Sequence, residues 1–84
     1  MNAEAAQKVT TVLYRLGLGN FSNAKSVRAG VYEYRINFGP GYRVYFGKDR
    51  ETIVILLGGG TKKRQQKDIN YAIARWHDYK KRKQ

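Results

Sequence analysis

Two alternating stretches joined by Gly-Pro-Gly constrain this chain more than any other feature. VYEYRINF at 31–38 places Tyr32, Tyr34, Ile36 and Phe38 on one face and Val31, Glu33, Arg35 and Asn37 on the other. YRVYF at 42–46 sets Tyr42, Val44 and Phe46 against Arg43 and Tyr45. A period of two is the period of a strand. Pro40 lacks the N–H a central ladder needs, so GPG at 39–41 is the turn and the two stretches form a hairpin. After a second turn at GKDRE, TIVILL at 52–57 is continuously apolar and largely β-branched, which predicts the most buried strand. The hairpin and this strand make a three-stranded antiparallel meander.

Helices flank it. Residues 3–16 carry Ala5, Val9, Val12, Leu13 and Leu16 as an apolar stripe at helical spacing. Glu4 sits in the first turn, where the helix dipole favours an anion, and Gly17 and Gly19 end the helix. GNFSNAKS at 19–26 reads as loop, and GGGT at 58–61 as the break after the third strand. A second helix is predicted from about 63 to 81 on Ile69, Ala72, Ile73 and Trp76, with Tyr79 extending the stripe. The expected fold is α+β, in the order α-β-β-β-α, with both helices on one face of the sheet. Arg35, Arg43 and Tyr45 then lie on the other face. The 84 residues make one domain, 1–84, ending in a basic, solvated tail at about 80–84.

Charge narrows the partners. Seventeen Lys and Arg face six Asp and Glu, a net of +11, and such a field attracts polyanions. Aromatic residues at 13% are too many for a disordered basic tail. Cysteine is absent, which removes disulfides, thiolate metal sites and cysteine nucleophiles. The longest apolar run, 53–57, is far shorter than the roughly 20 residues that span a bilayer. The N-terminus does not read as a signal peptide, so a cytoplasmic protein with no membrane partner is expected. The single histidine, His77, excludes a histidine acid–base pair, and the six scattered carboxylates offer no metal set. Neither a metal nor a cofactor is expected.

TKKRQQKD at 61–68 places Lys62, Lys63 and Arg64 where a helix starts. The dipole makes cations there unfavourable by about 0.3–1 kcal/mol each. Helix N-termini bind phosphate, and lysines beside the free N–H groups reinforce such a site. Arginines and lysines stabilise charge building on phosphorus, while tyrosine and guanidinium planes stack on unpaired bases.

GVYEYRINFGPGYRVYF and TIVILLGGGTKKRQQKDINYA together resemble the HigB branch of the RelE/ParE toxin superfamily, the addiction-module killer proteins. The likeness runs from about Leu13 to Tyr79; its most specific parts are GPGYRVYF and GGTKKRQQKDI. It implies the toxin of a type II toxin–antitoxin system, a metal-independent, ribosome-dependent mRNA endonuclease. The partner implied is a cognate antitoxin, acidic or of the helix-turn-helix type. Arg35, Arg43, Lys62, Lys63 and Gln66 are the catalytic positions implied, with Lys25, Tyr45, Arg64 and Lys67 as further RNA contacts. Arg43→Ala is then expected to abolish growth arrest without unfolding the chain. Thr61 replaces the family's usual aspartate, and the family's additional N-terminal strand has no counterpart here. An unpaired sheet edge follows, to be covered in a homodimer, by strand exchange or by the antitoxin. Three alternatives stand beside this reading: a non-catalytic basic RNA- or ribosome-binding module, a ParE-type toxin directed at gyrase, and an inactive shortened relative.

Overall fold

The computed structural model describes residues 2–83. Its elements run α1 (Ala3–Gly17), β1 (Ala24–Arg28), β2 (Val31–Ile36), β3 (Tyr42–Asp49), β4 (Thr52–Gly60), a 3₁₀ turn (Lys62–Arg64) and α2 (Gln65–Lys83). The strands form one antiparallel sheet in the order β1-β2-β3-β4. The fold is therefore α+β, as expected, but the sheet has four strands and not three.

The additional strand, β1, occupies part of the segment read as loop. Its only partly buried residues are Ala24 and Val27, and its ladder is irregular between Ser26 and Arg28, so no clean alternation marks it. Ala29 and Gly30 turn it into β2, both with positive φ (54° and 84°). That geometry matches the twist of a two-residue hairpin but ordinarily favours Asn-Gly, so Ala-Gly is a weak sequence signal.

The helices lie on opposite faces of the sheet, not on one. Val12 and Leu16 of α1 pack against Tyr34, Ile36, Val44 and Phe46. Ala72 and Trp76 of α2 pack against Val31, Tyr45 and Leu56. Each alternating face thus gains its own apolar layer, and the central strand β3 is buried on both. Asn2 caps α1, its Oδ1 accepting the Ala5 amide at 2.8 Å. Leu13, expected in the stripe, is 37% exposed at its margin.

β4 is the second correction. It lies at an edge, and only Leu56 among its residues is buried. Its run of apolar side chains supplies both layers at once, which the pattern of a doubly covered central strand also produces. It also continues through Gly58–Gly60, where the sequence predicts a break. A Cβ on Gly60 would stand 2.5 Å from Asp68 Oδ2, so this glycine lets the start of α2 approach the sheet. Gly47 does the same under Trp76, where a Cβ would meet ring carbons at 2.5 Å. The basic tail is solvated but helical: α2 continues to Lys83, whose ammonium contacts Asp49 Oδ2, and Gln84 lies outside the described residues.

Candidate nucleic-acid interface

One end of the sheet gathers most of the residues singled out from the sequence. The start of β1, the ends of β2 and β4 and the start of β3 meet there, and the 3₁₀ turn follows directly from β4. Lys25 stands opposite Glu33, Glu33 opposite Tyr45, Arg35 opposite Arg43, and Arg43 opposite Gly60. Opposed residues share a face, so these side chains form a cross-strand row on the α2 side.

The centre of that row is interior. Glu33 is 1% exposed, Arg43 2% and Tyr45 fully buried. Arg43 Nη1 donates to the Gly41 carbonyl at 2.8 Å, and Arg43 Nε lies 3.5 Å from Glu33 Oε2. Gln65 Nε2 donates to the same Glu33 oxygen at 2.9 Å, and Lys25 Nζ approaches Glu33 Oε1 at 3.9 Å from solvent. Arg43 is therefore no surface clamp for a phosphate, and Tyr45 is no stacking platform for a base. Both lie on the central strand β3, on the face that α2 covers. Burial, reinforced by the neighbouring Glu33 carboxylate, pushes the Tyr45 phenol above its ordinary value of 10.0, and the side chain has no exposed surface through which to meet an RNA 2′-OH. Its hydroxyl, Glu33 Oε1, Arg43 Nε and Asp68 Oδ2 are buried without hydrogen bonds.

The rim is exposed and basic. Lys25, Arg35, Lys62, Lys63 and Arg64 all face solvent. Lys62 is near Arg43 across Gly41, whose Cβ position would lie 3.6 Å from Arg43 Nη1 and 3.8 Å from Lys62 Cβ. Lys62–Arg64 form the 3₁₀ turn and not the first turn of α2, and Thr61 precedes them in extended geometry without a side-chain cap. Arg64 Nε leans on Asp68 at 3.7 Å. Gln66 and Lys67 fall outside the cluster. Gln65, Asp68, Ile69, Ala72 and Trp76 form the inward stripe of α2, which turns Gln66 and Lys67 to solvent. Gln66 Nε2 donates to Asn70 Oδ1 at 3.4 Å.

Sequence reasoning missed Glu33, Gln65 and Asp68 as organisers of this site. Glu33 carried a signal: it is the one acid in an alternating strand of a chain with 17 cations. Among the described residues no group of three potential metal ligands occurs, and no helix is long and apolar enough to cross a membrane.

An uncharacterized protein of Haemophilus influenzae (strain ATCC 51907 / DSM 11121 / KW20 / Rd) is 46% identical over 71 residues, covering 84% of this chain and 72% of the relative. The chain belongs to the same family as that protein. No family model matches the chain, and no solved structure matches it.

Proposed function

We propose that the protein is a HigB-like toxin of the RelE/ParE superfamily that cleaves mRNA on the ribosome and is neutralised by an antitoxin. The observation that carries this reading is the ring of exposed cations at one end of the sheet. Lys25 from β1, Arg35 from β2, and Lys62 and Lys63 from the 3₁₀ turn surround a core fixed by Glu33, Arg43 and Gln65. GGTKKRQQKDI supplies Lys62, Lys63 and Gln65, and GPGYRVYF supplies Arg43; these are the segments that most specifically resemble the toxins.

Arg35 grips a non-bridging phosphate pair through its guanidinium fork. The 2′-oxygen attacks the adjacent phosphorus, the bond to the 5′-oxygen breaks, and a 2′,3′-cyclic phosphate and a 5′-hydroxyl result. Lys62 and Lys63 stabilise the added negative charge, and the rigid floor holds the chain in line. The 2′-OH proton leaves to solvent or to a group of the ribosome, and the departing 5′-oxygen takes up one proton from the same sources, so the cleavage is proton-neutral. Arg43 acts through Glu33 and the Gly41 carbonyl as a positioning residue. The unpaired edge of β4 and the basic face are the surfaces an antitoxin would cover.

The buried Tyr45 and Arg43 favour one second reading, a non-catalytic RNA- or ribosome-binding module, because the exposed rim carries charge without a base. Both readings meet one experiment. Expression in a bacterial host, with mRNA 5′ ends mapped during growth arrest, should give new 5′-hydroxyl ends within translated frames. Arg35→Ala and Lys62→Ala/Lys63→Ala should remove them while the fold persists. Association with ribosomes without new ends would sustain the binding module and sink the nuclease.

A further inference from the structure

A second basic cleft lies on the opposite face of the sheet. It occupies about 530 Å³ between α1 and β2, and Lys8, Arg15, Asn23, Tyr34, Arg35 and Asn37 contribute to its walls. No residue lining it is acidic. Lys8, Thr11 and Arg15 recur at i, i+3 and i+7, so α1 presents them as one stripe beside its buried Val12. Lys8 is held over the Phe38 ring at 4.9 Å, and Asn23 Nδ2 donates to the Tyr34 hydroxyl at 3.2 Å. Among the described residues none of Lys8, Arg15 and Arg35 is in an ion pair.

The strand beside it is open as well. β1 pairs no further along β2 than Ala24 with Tyr34, so Arg35 and Ile36 have no strand partner on that side. Arg35 also lines a smaller cleft of about 330 Å³ with Lys25 and Glu33, which belongs to the candidate interface. Arg35 therefore stands between two clefts, one on each face of the sheet, at the place where the sheet edge is open.

We infer that the α1 cleft is a second single-stranded RNA site, continuous with the first through Arg35. The strand leaves the cation ring, crosses the open edge of β2 and lays its phosphates along Lys8 and Arg15. The Asn23 and Asn37 carboxamides face the bases, which they meet with both donors and acceptors. Lys8 and Arg15 stand without ion-pair partners along the α1 wall, with Arg35 at the open edge beside them, and a polyanion offsets that uncompensated charge. The choice of RNA rests on the proposed function; the presence of a polyanion track rests on the cleft alone.

The test measures binding of a fluorescein-labelled twelve-nucleotide oligouridylate to the full chain by anisotropy across a salt series. Lys8→Gln/Arg15→Gln should lower the slope of log K against log salt by about 1.4, at about 0.7 for each phosphate no longer neutralised. Lys80→Gln/Lys81→Gln removes the same charge from exposed positions on α2, on the other side of the sheet, and should change the slope far less. Equal losses in the two double variants would overturn the site and leave only the general field. Retained RNA binding in Lys8→Gln/Arg15→Gln, with loss there of binding to an Asp/Glu-rich peptide, would assign the cleft to a protein and overturn the proposal. A chain that binds through Lys8 and Arg15 but produces no cleaved ends refutes the nuclease reading and leaves this one intact. Circular dichroism of each variant checks that the exposed substitutions leave the fold unchanged.

Discussion

Arg43 shows how one residue changes meaning once it is packed. As a basic residue on an alternating strand it reads as a ligand for phosphate. In the fold it is 2% exposed and paired with an equally buried Glu33. Removing one member of a buried pair leaves an uncompensated charge and costs about 3–5 kcal/mol. Domains have only about 5–15 kcal/mol in all. Arg43→Ala is therefore expected to lower the urea midpoint severely, against the sequence-based expectation of an intact fold. Glu33→Leu/Arg43→Met, which removes both charges, should be more stable than Arg43→Ala, and urea titration of the set checks it. The sequence located this residue in space but could not tell rim from interior. Alternation assigns a face, and only the docking of α2 decides whether that face is wet.

At the scale of elements, α2 is fixed to the sheet at both ends and in the middle. Gln65 holds its start through Glu33, Trp76 lies on Gly47, and Tyr79 donates to Asp49 Oδ2 at 2.8 Å. Gly47→Ala would place its Cβ 2.5 Å from the indole carbons, so the helix must shift. A loss of about 1–3 kcal/mol is expected, with a change in tryptophan fluorescence. The far end of the helix adds a pH dependence. Hydrogen bonding from Lys83 first, then from Tyr79, holds the Asp49 carboxyl below its ordinary value of 3.8. A lowered folded value means that this stabilisation is complete above the ordinary value and is lost as pH falls through the lowered one. Lys83 is raised above 10.5 by the same contact, so its part is complete below that value and is lost as pH rises through the raised one. Asp49→Asn should flatten both limbs of the thermal stability profile against pH. The short hairpin at GPG and the two long helices were legible, because their periods are local. The strand Ala24–Arg28 was not, since tertiary pairing overrides its weak propensity.

For the whole molecule, charge dominates. A net of +11 on 84 residues opposes compaction by self-repulsion. Raising NaCl from about 0.05 to 0.5 M shortens the Debye length from above 10 Å to below it and should raise the melting temperature while weakening RNA binding. A melting temperature that falls with salt would show that surface ion pairs outweigh the repulsion.

Local chemistry alone determined much of this protein: its excess of cations, the hairpin around Gly-Pro-Gly, the helical segments, and the basic stretch after the third glycine. These depend on residue type and on spacings of a few positions, which a chain carries with it when unfolded. Tertiary structure decided the rest. It set the fourth strand, the edge place of β4, the two-sided stacking of the helices, and the division of the basic residues into a buried brace and an exposed rim. Each of those is a choice between faces or neighbours, settled by which surfaces exclude water together, and no sequence period encodes that.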